Sequence, residues 1–464
     1  MNRPFRFERY LDDAAAHGIT LTPLFTLFRE LQSSINPYST CKPETPDYIA
    51  PFERSGPERA LDKELRFDLG KPNGEFFERL HRFLTYASKT GIIVEVVLLS
   101  NTYRDNIWAL NPLNCANNIN GLKPITWPEY MSLRHEDLYE RQAAHVRRIV
   151  EETNRYDNVI YEVCNEPGGD LNEEGPTRGE VNEWLKALIQ VIRDTESGLP
   201  NKHLIAGQEA FSYSPWEQPA NLSFTEMDYD VVNMHPLPNT TYRGKAYHMG
   251  DFMSKQLKLR QTRDFGLATY GEDKPLNQDE DNVASQYKDP DGWTIHRKRA
   301  WMTLMTGNHY DYIDFSILPL RETGTHESRA HIRAWMMHLS RFVHSLDLLR
   351  SKPLPGVVKS SPPASVEACF GVEDEHISIY LADERELPAA RDLPRDERPD
   401  QAAGTPIAGK VIVGLTPAVY EISIFDPKSG LYSPAIRTEG GEDTVVDVPS
   451  FVHDTVVTIR RSDS

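Results

Sequence analysis

The sequence predicts an α/β protein: a (β/α)8 TIM-type barrel short of its first strand, followed by a C-terminal antiparallel β-sandwich. Helical and strand patterns alternate over the first 350 residues, as repeated βα units do. Ile92–Leu99 is an almost unbroken apolar, β-branched run, the mark of a strand buried on both faces of a parallel sheet. After Leu346 the helices stop, and short strands separated by turn residues take over.

Phe7–His17 reads as a helix that ends at Gly18, a favoured residue just past a helix end. Ile19–Phe25 follows as a strand. Glu75–Lys89 puts Phe76, Leu80, Phe83, Leu84 and Ala87 on one helical face and stops at Gly91. The Ile92–Leu99 strand comes next. Leu138–Thr153, Val181–Asp194, a segment near Lys255–Thr262, Trp293–Thr306 and His331–Leu346 carry helical patterns. Asn158–Val163, His203–Gln208, Asp230–His235, Leu267–Tyr270 and Tyr312–Ile317 read as strands. That makes seven strands, each tied to a helix, where a closed barrel has eight. The chain opens on a helix, so the expected missing strand is the first.

Ser351–Pro363 is rich in Pro and Ser and reads as a linker between a 1–350 barrel domain and a 364–464 β-domain. The latter shows strands at Val366–Phe370, His376–Leu381, Lys410–Leu415, Tyr420–Phe425, Thr444–Val448 and Thr455–Arg460. Asp383–Thr405, full of Asp, Arg, Pro and Ala, reads as a loop interrupting them.

Composition narrows the function classes. Across 464 residues, Lys+Arg total 51 against 69 Asp+Glu, a net charge of −18. Such a surface repels phosphate backbones and anionic membranes, so neither nucleic acid nor a membrane is an expected partner. No apolar run approaches the length of a bilayer span. MNRPFRFERY has no apolar core, so the chain as written carries no signal peptide and reads as cytoplasmic; a secreted form would need a leader upstream. Cys41, Cys115, Cys164 and Cys369 are scattered and form no CxxC pair, the pattern of free thiols.

The chemistry concentrates at Asn165-Glu166-Pro167. It closes the Asn158–Val163 strand and is followed by Gly168-Gly169. In a barrel the C-terminal strand ends form the rim of the active site. A second carboxylate is expected across the barrel, and Glu272, after Tyr270-Gly271, stands at the end of the next-to-last expected strand; Asp273 is its local competitor. Two carboxylates at facing strand ends suit glycoside hydrolysis, and a separation of about 5–5.5 Å implies retention of configuration. Tyr103, Trp108, Trp127 and Trp216 are candidate sugar-stacking rings. Asn101 and the Asn117–Asn120 cluster can partner sugar hydroxyls or hold a long loop together. Tyr270 can support a carboxylate. Strand parity leaves the facing of Glu162 and Asp314 open.

The order of motifs resembles that of clan A glycoside hydrolases, and more narrowly of their cellulase-like (β/α)8 members. It runs Phe67-Asp68-Leu69, then Phe76-Phe77-Glu78-Arg79-Leu80, then Gly91-Ile92-Ile93-Val94-Glu95-Val96. Asn117-Asn118-Ile119-Asn120, Asn165-Glu166-Pro167 and Ile313-Asp314-Phe315-Ser316 complete it, over most of residues 5–350. The resemblance implies a retaining glycosidase acting on an oligosaccharide or polysaccharide without metal or organic cofactor. It implies Glu166 as acid/base, Glu272 as nucleophile and Asn165 as the partner of the sugar 2-hydroxyl. The clan's strand-6 His-x-Tyr stands here as His235-Pro236-Leu237, with His235 either lining the pocket or satisfied in the core.

Pro23 occupies the position where many clan members carry an Arg that steadies the nucleophile, and Arg29 is near but not aligned. A catalytically weakened, carbohydrate-binding descendant is therefore the alternative. A lyase or aldolase would need a Lys or a metal cluster at a strand end, and the expected strands offer neither.

Overall fold

The structure, a computed structural model, describes residues 2–28, 47–235, 239–249, 257–281, 290–312, 325–385 and 402–462. Arg29, Cys41, Pro236, Leu237 and Asp314 lie outside the described residues. The chain forms two compact units, one built mainly from Met1–Asn233 and the other mainly from Ala246–Ser316 and Arg321–Ser464.

The first unit opens with helix α1 (Phe7–Ala16) and strand β1 (Leu21–Phe25). A hairpin of β2 (Phe52–Arg59) and β3 (Leu65–Pro72) follows. Next come α2 (Gly74–Thr90), β4 (Ile93–Ser100), the short α3 (Asp105–Trp108), α4 (Glu136–Thr153) and β5 (Val159–Asn165). The pair β6 (Gly168–Gly169) leads to α5 (Arg178–Ser197) and β7 (Leu204–Gly207). A second hairpin, β8 (Phe211–Tyr213) and β9 (Trp216–Pro219), precedes α6 (Asn221–Thr225) and β10 (Val231–Met234). Strands β1, β4, β5, β7 and β10 lie side by side in that order, all parallel.

Local sequence explains these elements. Asn73 accepts a hydrogen bond from the Glu75 amide at the start of α2, and Gly91 ends the helix at φ 73°. Between them Phe76, Phe77, Leu80, Phe83, Leu84 and Ala87 form a buried stripe. Val94–Ser100 of β4 is buried residue after residue, as expected of a strand covered on both faces.

Behind β7 lies a buried ion pair. His203 Nδ1 stands 2.6 Å from Glu196 Oε1, and His203 Nε2 stands 2.7 Å from the Tyr156 carbonyl. Both ring nitrogens face acceptors, an arrangement that favours the doubly protonated imidazole. Burial lowers its pKa, but the Glu196 carboxylate and the Tyr156 carbonyl outweigh that and raise it above the ordinary value. A raised folded pKa gives stability that is complete below the unfolded value of about 6.5 and is lost as pH rises through the folded one. The melting temperature of the wild type should therefore fall more steeply than that of His203→Gln as pH rises from about 6.5; parallel curves would remove His203 as the cause.

Hairpin strands β11 (Thr240–Tyr242) and β12 (Lys245–Tyr247) straddle the division between the units. The second unit continues with α7 (Leu259–Thr269), β13 (Leu276–Asp281), α8 (Pro290–Met305), β14 (His309–Tyr312) and α9 (His326–His344). Strands β13 and β14 are parallel, with a bulge between Gln278 and Asp281. Ten further strands complete it among the described residues: β15 (Lys352–Pro353), β16 (Val358–Ser360), β17 (Ser365–Val372), β18 (His376–Asp383) and β19 (Ile407–Val413). The last five are β20 (Val419–Asp426), β21 (Leu431–Tyr432), β22 (Ile436–Glu439), β23 (Thr444–Phe451) and β24 (Asp454–Arg461). They form two antiparallel sheets, β15-β17-β18-β24-β20-β21 (with β22 on β20) and β16-β19-β23. Ile379 and Val457 from the first share a core with Val411 and Val446 from the second, which makes this a sandwich. Among the described residues no helix is long and apolar enough to cross a membrane.

Two expectations are corrected. Leu267–Tyr270 is not a strand; Leu267–Thr269 is the last turn of α7, and Tyr270 caps it. Short apolar runs do not separate helix from strand by periodicity, and here burial of Leu259, Thr262, Phe265, Gly266 and Thr269 repeats every three to four residues. A Cβ on Gly266 would come within 2.3 Å of Thr306 Oγ1, so this helix needs the glycine to pack. The Ser351–Pro363 segment is not a free linker either: it supplies β15 and β16, which pair with β17 and β19.

Candidate active site

Glu166 follows the last residue of β5 at the C-terminal edge of the parallel strands, with φ at 47°. A non-glycine residue in that left-handed region costs about 1–3 kcal/mol and persists only where its surroundings impose it. The neighbouring contacts do so. In register with Asn165 is Ser100, and the next residue, Asn101, donates its backbone N–H to the Asn165 carbonyl at 3.0 Å. Its side-chain Nδ2 donates to the Glu166 carbonyl at 2.9 Å and to the Tyr213 hydroxyl. Asn101 Oδ1 accepts from the Tyr103 amide at 2.9 Å, and the Tyr103 hydroxyl receives Asn165 Nδ2 at 2.9 Å.

The chain beyond Glu166 is pinned by close packing. A Cβ on Gly168 would lie 2.6 Å from Phe211 Cζ and 2.8 Å from Tyr213 Cε2; one on Gly169 would lie 2.5 Å from the Arg178 amide nitrogen. Only glycine lets β6 approach the β8–β9 hairpin and the start of α5 this closely. On that hairpin Tyr213 packs against Phe211 (centroids 4.7 Å apart), Trp216 (6.3 Å) and, from outside the hairpin, Trp127 (6.2 Å). Trp216 is 39% exposed and Trp127 half-buried, so both present ring surface to solvent. Burial raises the Tyr213 hydroxyl's pKa well above its ordinary value, so it stays protonated.

Beneath Glu166, Glu162 on β5 and Glu95 on β4 bring carboxylate oxygens within 4.8 Å of each other, both buried. Asn233 Nδ2 on β10 donates to Glu95 Oε1 at 3.3 Å. Tyr161 turns to the opposite face, its hydroxyl 2.8 Å from Thr153 Oγ1 on α4. This settles the parity of Glu162: it faces Glu95, away from the helices.

Glu209 lies just past β7, at another C-terminal strand end. Burial drives its pKa up to about 7, partly offset by hydrogen bonds from the Leu222 and Ser223 amides. Those bonds make it a cap for the start of α6. Neither Glu209 nor Tyr213 carries a local sequence signal; the parallel pairing of β8 with β6, Gly168 opposite Phe211 and Gly169 opposite Ser212, brings Tyr213 to the site.

Several expected roles change. Trp108 is 5% exposed, its Nε1 donates to the Ile125 carbonyl at 3.3 Å and its ring packs on Tyr130; it is a core residue, not a sugar platform. Asn101 is wholly buried with both its amide donor and its carbonyl engaged, so it organises the site rather than binding sugar. Asn117 and Asn118 hold the loop after α3 by donating to the Ala109, Asn111, Pro112 and Asn114 carbonyls. Tyr103 packs edge-on against Phe28 and meets Asn165 through its hydroxyl.

In the second unit, Glu272 stands in the turn after α7, its amide donating to the Thr269 carbonyl, and precedes β13 rather than ending it. Tyr270 packs against Gly307, just before β14. Both therefore lie at N-terminal strand ends, the side of a barrel associated with stability rather than catalysis. The end of β13 is the acidic run Asp279-Glu280-Asp281. Asp279 is buried, with Oδ2 3.7 Å from Nε2 of the equally buried His235. The paired position favours His235 as a structural partner of β13.

The sequence profile of cellulase (glycosyl hydrolase family 5) matches residues 61–303. An endoglucanase of Clostridium saccharobutylicum is 28% identical over 149 residues, which is 32% of this chain and 28% of that enzyme's length. A solved structure of a glycoside hydrolase family 5 protein from Bacteroides vulgatus superposes with a TM-score of 0.60 at 12% identity, covering 98% of this chain and 85% of the other. A second solved glycoside hydrolase gives 0.58 at 12% identity, covering 100% and 90%. These structures share the TIM-type fold with its C-terminal β-sheets. With its profile match spanning more than half of its length, the chain belongs to glycosyl hydrolase family 5, the cellulases.

Proposed function

We propose that the protein hydrolyses β-glycosidic bonds of a neutral oligosaccharide or polysaccharide with retention of configuration, Glu166 acting as general acid and then general base. The observation that carries this reading is a glutamate held in a strained backbone directly after Asn165, at the C-terminal end of a parallel strand, in a family 5 chain. Strained conformations cluster at functional sites, and C-terminal strand ends are where barrel enzymes work. Glu166 protonates the leaving oxygen while a second carboxylate attacks the anomeric carbon; Glu166 then deprotonates the water that releases the sugar.

We assign the second carboxylate to the acidic run 279–281 rather than to Glu272, because that run closes a parallel strand and Glu272 opens one. A β-glucan suits the endoglucanase name of the Clostridium relative, and the net charge of −18 favours an uncharged polymer.

The test is a panel of aryl β-glycosides and β-glucans and β-mannans, with the anomeric configuration of the first product followed by NMR. Retention is expected, together with loss of turnover in one of Asp279→Asn, Glu280→Gln and Asp281→Asn and near wild-type turnover in Glu272→Gln. An inverted product, or a Glu272→Gln enzyme as inactive as a Glu166 variant, would overturn the assignment.

One observation favours the alternative of a weakened, carbohydrate-binding protein. The end of β1 carries Phe25 and Thr26, and the Thr26 hydroxyl is spent on the Val97 and Leu98 carbonyls and on His145. Oligosaccharide binding without any cleavage across the panel would select that reading.

A further inference from the structure

We propose that Asn101 is a positioning residue for the acid/base, locking Glu166 into its left-handed backbone, with Tyr213 as the brace that keeps the Asn101 amide in place. This rests on the reading of Glu166 as the acid/base.

The lock has three points. Asn101 N–H holds the carbonyl of Asn165, and Asn101 Nδ2 holds the carbonyl of Glu166, so one residue grips two consecutive peptide units. Their orientation relative to each other sets the backbone angles of Glu166. The third point is Asn101 Oδ1 on the Tyr103 amide, which fixes Tyr103 at φ 55° and directs its hydroxyl onto Asn165 Nδ2. The ring of contacts closes: Asn101, Tyr103, Asn165 and back through the Asn165 carbonyl. It contains Tyr103 and adjoins Glu166, two of the non-glycine residues with positive φ.

Tyr213 supplies the remaining acceptor for Nδ2. Its own ring is packed against Phe211, Trp216 and Trp127, with Gly168 beneath. The β8–β9 hairpin therefore reaches the acid/base through Asn101. Asn101 is fully buried, so it does this without touching sugar. A proton donor must come within hydrogen-bond reach of the leaving oxygen, and a displacement of about 1 Å can cost about 10²-fold in rate.

The test uses the full-length protein, with Asn101→Ser and the near-isosteric Asn101→Asp, which removes both Nδ2 donors while keeping the shape. Tyr213→Phe removes only the brace and is the variant least prone to folding failure. Crystal structures should show Glu166 leaving the left-handed region in both Asn101 variants. Specificity constants should be measured on 4-methylumbelliferyl and 2,4-dinitrophenyl β-cellobioside. The second leaving group departs without a proton, so a misplaced acid slows only the first, by about 10–10²-fold. Tyr213→Phe should shift the ratio in the same direction by less.

Glu166 retaining φ near 47° in Asn101→Ser overturns the proposal, and so does an equal loss on both substrates, the signature of a merely structural role. Glu166→Gln run in parallel separates the two claims: if it lacks the leaving-group dependence, the acid/base reading itself fails. If neither glycoside is turned over, the Glu166 backbone angle decides the proposal.

Discussion

Glu166→Gln is expected to slow cleavage of a glycoside with a poor leaving group by about 10²–10⁴-fold, the usual contribution of a positioned general acid. The substitution keeps the volume of the side chain and removes only its ability to exchange a proton. The Glu166 carbonyl still accepts from Asn101, so the backbone lock survives, and melting temperature should barely move. The loss should shrink sharply with a dinitrophenyl leaving group, for which protonation matters little in the first step. A small nucleophile such as azide, which needs no deprotonation, should then restore turnover of the accumulated glycosyl-enzyme. The measurement is kcat/KM against leaving-group pKa. A flat dependence in both wild type and variant would show that Glu166 donates no proton, and the mechanism would have to be rebuilt around another residue.

How much of this was legible in sequence depends on what each residue's signal is made of. Strong periodicity read well: the α2 stripe from Phe76 to Ala87 and the apolar β4 are set by burial, which composition records directly. Asn165-Glu166-Pro167 read well too, because a β-branched strand leads into it. Strand β13 did not. Its sequence, Leu-Asn-Gln-Asp-Glu-Asp, is made of residues that isolated strands avoid, and tertiary pairing with β14 overrides that preference. The apolar Phe265–Thr269 segment next to it reads as the strand instead, although it is the end of α7 and Glu272 precedes β13.

The aromatic residues failed for another reason. A tryptophan looks the same in sequence whether it is a platform or a core plug. Trp108 is sealed in against Tyr130, whereas Trp216 is exposed because the tight β8–β9 hairpin turns it outward. Asn101 leaves two readings open in sequence, sugar partner or loop support. Its value lies in which carbonyls stand beside it, and those come from the end of β5 and from Glu166 just after it, more than sixty residues away.

The largest stability effect should come from Asp454→Ala, at about 3–5 kcal/mol, the range for breaking a buried ion pair by deleting one partner. Arg297 on α8 and Asp454 at the start of β24 are 2% and 1% exposed, and Arg297 Nε donates to both Asp454 oxygens at 2.9 and 3.1 Å. Tyr380 adds a hydroxyl donor to Asp454 at 3.1 Å, and the Arg297 guanidinium lies 4.3 Å from the Trp335 ring centroid. Removing the carboxylate strands a guanidinium that water cannot reach. It also strips support from the next residue, Lys298, whose pKa burial already lowers while Asp383 and Asp454 hold it up. Replacing both partners together, as Arg297→Met with Asp454→Leu, should cost far less, because well-packed apolar pairs often match buried ion pairs. Equilibrium denaturation of the two variants checks the contrast, and equal losses would mean that packing rather than charge dominates. The same contact bears on the C-terminal sheets. Trp301 of α8 is fully buried against Tyr380 and Phe425, with centroids at 5.5 and 5.7 Å. Helix α8 thus takes its ion-pair partner and much of its aromatic packing from strands beyond residue 350. A chain ended at residue 350 would leave Arg297, Lys298 and Trp301 without them. It should be recovered as aggregate, whereas a C-terminal sandwich that is merely appended would leave a soluble, cooperatively melting barrel.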